Sequence, residues 1–146
     1  MAALTKAFEA FEKPGLVVSY KVSNTKIFKG ALAGVNASGF LVPMAHGTAS
    51  LKFVGIANET IDNSAGAAGD KSLNVAKSGA FVFKAAAGFS PAIADIGKDV
   101  YANSDWEVQV AAAGLTNAYK VGTLTALETT STGETGVRVR IDNFSV

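Results

Sequence analysis

The chain has 146 residues, 49% of them hydrophobic, with no cysteine and thirteen Lys plus Arg against twelve Asp plus Glu. This length suits one domain with a substantial core, and the absence of cysteine excludes disulfide and thiolate chemistry. A formal charge of +1 argues against a nucleic-acid surface, which calls for a basic surplus on one face.

The first residues differ from the rest. Leu4, Phe8 and Phe11 fall at i, i+4 and i+7, the apolar stripe of a short helix, and Pro14-Gly15 then breaks it. About ten residues are too few for a stable isolated helix, so this segment is expected to dock, either on its own domain or on a neighbouring chain. Residues 1–30 also hold the one local basic surplus, Lys6, Lys13, Lys21, Lys26 and Lys29 against Glu9 and Glu12. We therefore divide the chain into an N-terminal arm, residues 1–15, and a single body, residues 16–146. Met1–Lys6 lacks the apolar core of a signal peptide, and no apolar run is long enough to span a bilayer.

The body reads as β throughout. Leu16, Val18, Tyr20 and Val22 alternate with Val17, Ser19, Lys21 and Ser23. Strands at Gly30–Val35 and Phe40–Val42 flank Asn36-Ala37-Ser38-Gly39, a hairpin turn in which Asn and Gly tolerate positive φ. Pro43 has no N–H to give a ladder and limits further pairing. Phe53–Ala57 reads as a strand, and Leu73–Phe83 shows strand periodicity. A helical turn is expected to begin at Ser90-Pro91, capped by the serine. Val100–Ala102 and Trp106–Val110 flank Asn103-Ser104-Asp105, with Trp106, Val108 and Val110 on one face. Tyr119–Leu127 and Gly136–Asp142 form the last pair, with Val137, Val139 and Ile141 facing in. Strands at about ten-residue spacing with Gly-rich turns predict an all-β fold, a compact antiparallel sandwich or barrel.

Motifs that would carry chemistry are sparse. Asp62–Ser72 reads DNSAGAAGDKS and approaches a phosphate-binding loop. Yet Asp70 interrupts it with a negative charge, and strand periodicity follows where a helix must begin. A turn between two strands is the better reading. His46 is the only histidine and sits in a loop, without the partners that acid–base or metal chemistry recruits. Asp95 and Asp99 are separated by Gly97, and Asp62, Asn63 and Asp70 lack the ligand spacing of a calcium loop. We expect no catalytic residue, no metal and no cofactor. Tyr101 and Trp106 are candidates for an oligomer contact or a sugar platform, although the alternation favours Trp106 as a core residue.

An ordered series of segments resembles the capsid cement, or head-decoration, proteins of tailed bacteriophages. It comprises Met1–Thr5, Lys26–Leu32, Val35–Pro43, Phe53–Ala57, Asp62–Gly69, Gly79–Phe83, Ile96–Tyr101 and Gly136–Asp142, and so covers nearly the whole chain. Each segment alone is weak; their common order carries the resemblance. Such proteins often begin with a polar, arginine-containing segment, whereas Lys6–Lys13 here reads KAFEAFEK. The resemblance implies a non-enzymatic β protein made in a bacterial cytoplasm and mounted on the outside of a virion head. It implies the major capsid protein as partner and a homo-oligomer, a trimer before a dimer. On that reading Leu4, Phe8 and Phe11 anchor the arm on the capsid, with Lys6 and Lys13 at its rim. The rival expectation is a glycan-binding module on the virion surface, with Trp106 and Tyr101 stacking on sugar.

Overall fold

The computed structural model describes residues 15–142. Leu4, Lys6, Phe8, Phe11 and Lys13 lie outside them. The elements are β1 (Val17–Lys21), β2 (Lys26–Ile27), β3 (Leu32–Val35), β4 (Leu41–Pro43), β5 (Lys52–Ala57), β6 (Ile61–Asp62), β7 (Ser72–Ala76), β8 (Ala80–Ala85), a 3₁₀ turn (Ile93–Asp95), β9 (Asp99–Ala102), β10 (Glu107–Gln109), β11 (Lys120–Thr129) and β12 (Thr135–Arg140). The fold is all-β, in line with the sequence pattern.

Two sheets divide the chain. The first, five-stranded, runs β1-β7-β5-β3-β4; the second closes into a barrel in the order β10-β8-β12-β11-β9. All pairings are antiparallel except β8 with β10. A small ladder of β2 with β6 stands beside them. The stretch Leu73–Phe83 is two strands in different sheets, separated at Lys77–Gly79, where Gly79 has φ +118°. Val22 bridges to Leu41 beyond the end of β1, so the first sheet curls toward closure.

The two cores share β3 and β5. Val22, Ile27, Ala33, Leu41, Val54, Leu73 and Val75 pack within the first sheet. Leu32, Met44, Leu51, Phe53 and Ile56 pack with the barrel interior, formed by Phe83, Val100, Val108, Val121, Leu124, Val137, Val139 and Ile141. Strict alternation would put Phe53 and Ile56 on opposite faces. A bulge resolves this. Gly34 pairs with Phe53 and Ala33 with Gly55, which leaves Val54 without an opposite number. Gly55 has φ +144°, and a Cβ there would stand 2.1 Å from the carbonyl oxygen of Ala76. Only glycine fits this close approach, and the bulge lets one strand feed two cores.

The Asn36–Gly39 hairpin forms as expected, with Gly39 at φ +85° and the Asn36 side chain accepting the N–H groups of Ser38 and Phe40. Pro43 lies on β4, the outermost strand of its sheet, where a missing N–H is tolerated. The helical turn starts later than Ser90-Pro91 suggests. Its cap is Ala92, whose N–H is taken by the Asp95 carboxylate at 2.9 Å; a carboxylate three residues on replaces the serine.

Candidate functional site

The near-phosphate loop is a self-tied turn joining β6 to β7. Asn63 is buried, and its Nδ2 donates to the carbonyls of Ser23 (3.0 Å), Ala67 (2.9 Å) and, more weakly, Val22 (3.3 Å). Asp70 accepts the Ala67 N–H at 2.9 Å, and the Gly69 N–H donates to Val22. Lys71 donates to the Asp62 carbonyl at 2.6 Å. The Ala67 and Gly69 N–H groups and the Lys71 ammonium are thus engaged within the protein, and a strand follows. The Ser64 hydroxyl and N–H hold the Asp62 carboxyl below the usual carboxylate range.

The remaining polar candidates are dispersed. His46 is half-buried and joins two loops. Its Nδ1 accepts the Thr116 N–H at 3.1 Å, and its carbonyl accepts from the Asn117 backbone and side chain. Asp95 pairs with Lys98 at 2.8 Å, and that pairing, with the Ala92 N–H, lowers its pKa. Asp99 pairs instead with Lys120 at 2.9 Å. Among the described residues, no three His, Asp or Glu side chains gather as metal ligands.

What the fold does assemble is an open groove of about 560 Å³ where the two sheets meet. Its walls come from four separate segments: the turn after β2 (Phe28–Ala31), β8 (Val82–Lys84), the turn before β10 (Asp105 and Trp106) and the β11–β12 hairpin (Thr130–Thr132). Gly30, at φ +87°, closes the tight turn that carries Phe28 to the rim. The Asp105 carbonyl accepts the Leu32 N–H at 2.7 Å, and the Trp106 carbonyl accepts the Lys84 N–H at 3.1 Å, so backbone bonds from both sheets fix the floor.

Trp106 departs from its expected place. Val108 is buried on the core face, but Trp106 is 43% exposed. β10 begins only at Glu107, so Trp106 belongs to the turn, and the strand's alternation does not govern it. Phe28 (57% exposed) and Val82 (39%) join it, placing three large exposed apolar side chains around one groove. The Lys84 ammonium lies 4.7 Å from the Trp106 ring centre and 3.5 Å from the Glu107 carboxylate, and Lys26 lies 4.8 Å from the Phe28 ring centre. Burial raises the Asp105 pKa, and the neighbouring Glu107 charge adds to the rise. No lysine or arginine among the described residues forms an ion pair with Asp105.

Tyr101 does not share this site. It sits on β9 opposite Gln109 and Lys120, half-buried, and takes no part in lining the groove. The structure therefore does not bring Tyr101 and Trp106 together at this groove. Phe28 is the neighbour of Trp106 there, and the only sequence signal for that was a phenylalanine set before Lys-Gly in a turn. The chain matches no protein-family model, no curated protein and no solved structure.

Proposed function

We propose that this is a structural virion protein, a capsid cement protein that binds the outer surface of a phage head and strengthens its lattice against internal DNA pressure. The ordered resemblance of the sequence motivates this reading. The structural observation that supports it is the position of β1. This strand is the outermost of its sheet among the described residues, and it begins just after residues 1–14. Leu16 and Val17, at its start, are exposed. An edge strand is a template for pairing with another chain, and exposed apolar residues beside it add contact area.

Cement work needs no reacting group. A clamp across capsomer junctions adds binding energy that separation must overcome, and oligomerisation, as a trimer or a dimer, raises avidity through effective concentration. Leu4, Phe8 and Phe11 are the anchors in this proposal, each contributing roughly 1.5–3 kcal/mol on burial before ordering costs. Lys6 and Lys13 meet the rim of the major capsid protein.

Sedimentation with undecorated heads tests the proposal. Deleting residues 2–13 leaves the body folded and abolishes retention on heads. Phe8→Ala with Phe11→Ala weakens retention more than Lys6→Glu with Lys13→Glu, because rim charges act mainly on association rate. Full coating by the truncated protein would move the capsid surface onto the β body. Failure of the full-length protein to bind heads would end the cement reading.

A further inference from the structure

We propose that the groove between Phe28, Val82 and Trp106 is a binding site for a neutral hexose unit of a polysaccharide. This inference does not rest on the capsid reading. The groove's volume, about 560 Å³, lies within the range of small-ligand sites and admits one or two sugar rings. Its apolar surface is aromatic and aliphatic, and exposed. A hexopyranose presents a face of C–H groups that lies flat on such surfaces, with a rim of hydroxyls around it.

The polar groups select the ligand class. Asp105 supplies a carboxylate acceptor with no ion-pair partner among the described residues, and its partial burial makes a hydrogen-bonding ligand worth gaining. Lys29 and Lys84 line the same groove and supply donors. A cationic ligand would meet these two lysines, with Lys26 beside Phe28. An anionic ligand would meet the Asp105 carboxylate. A hydroxyl both donates and accepts, so a neutral polyol satisfies both signs at once. The sugar's C–H face competes with the Lys84 ammonium over the Trp106 ring, which couples binding to a small shift of that side chain. The site replaces the Tyr101–Trp106 platform of the sequence reading with Phe28–Trp106.

Trp106 is the only tryptophan in the chain, so its fluorescence reports the groove directly. Full-length protein is titrated with maltohexaose, mannohexaose and a galactan hexasaccharide, and each titration is repeated by calorimetry. The expected result is a saturable change in Trp106 emission with at least one of them, at a Kd on the order of 1 mM. Trp106→Ala weakens that binding, read by calorimetry, by at least about tenfold, Trp106→Phe retains part of it, and Asp105→Ala also weakens it. Tyr101→Ala leaves it unchanged. Melting temperatures separate lost binding from lost folding, and Trp106→Phe keeps the test valid if Trp106→Ala does not fold. No saturable response to any of the three sugars overturns the proposal. So does binding that survives in both Trp106 variants at full affinity, or a Trp106-dependent response to a capsid subunit alone.

Discussion

Replacing Asn63 tests whether the near-phosphate loop is held by one buried amide. The Nδ2 group has two protons for three carbonyls, so Asn63→Ala removes about two full hydrogen bonds, roughly 1 kcal/mol each. Each abandoned carbonyl keeps a second donor: Gly69 at Val22, Thr25 at Ser23 and Asp70 at Ala67. None is left orphaned, and that part of the penalty is avoided. Oδ1 already lacks a donor among the described residues, so deleting it recovers some desolvation cost. The expected net loss for Asn63→Ala is therefore only about 1–2 kcal/mol. Asn63→Asp behaves differently. It is nearly isosteric but sets a carboxylate oxygen against carbonyl oxygens in a buried site, at an expected cost of about 3–5 kcal/mol. Urea unfolding measures both, and amide exchange at Gly66 and Gly69 reports whether the loop detaches first. An Asn63→Asp variant within about 1 kcal/mol of the parent, or no less stable than Asn63→Ala, would refute the reasoning.

Gly55→Ala is expected to lose at least about 3 kcal/mol, because its Cβ meets a backbone carbonyl and its φ suits glycine; urea unfolding and amide exchange across β5 and β7 measure the loss. Lys77 donates to Tyr20 Oη at 2.8 Å and to the Val54 carbonyl, and burial pushes its pKa down to about 8. Between pH 8 and the ordinary lysine value the unfolded chain holds a proton that the native chain has released, so stability rises with pH in that window. Burial raises the Tyr20 pKa, so above about pH 10 the unfolded chain loses its tyrosine proton first and stability turns down. Melting temperature against pH reads this maximum, and Lys77→Met removes the rising limb; an unchanged limb in that variant would assign it elsewhere.

Much of the fold was legible because alternation reports which face is buried. Val137, Val139 and Ile141 sit at the barrel core while Arg138 and Arg140 face out, as the pattern requires. Asn36–Gly39 carries its own turn chemistry. What failed did so where a local rule meets a tertiary one. Phe53–Ala57 looks like a plain strand, and nothing local says that a bulge at Val54 sends its side chains into two cores. Trp106 continues the parity of Val108, but parity ends where the ladder ends. The β2–β6 ladder is too short to leave a periodic trace. The groove was illegible as a whole, since its four segments are scattered from residue 28 to residue 132 and only the meeting of two sheets brings them together.

The chain passes between its two sheets once, at Lys77–Gly79. Every strand of the first sheet precedes that point and every strand of the barrel follows it. During synthesis the first sheet therefore has all its pairing partners before any barrel strand leaves the ribosome, and domains of this kind form from the N-terminal side first. Its second face, with Leu32, Met44, Phe53 and Ile56, stays uncovered until the barrel arrives. A ribosome stalled once Gly79 has cleared its exit tunnel would hold a paired but sticky half-protein, a substrate for chaperones. Slow codons read after the first sheet has emerged and while the barrel strands are still in the tunnel would lengthen that exposure, whereas the same codons before the crossing would not.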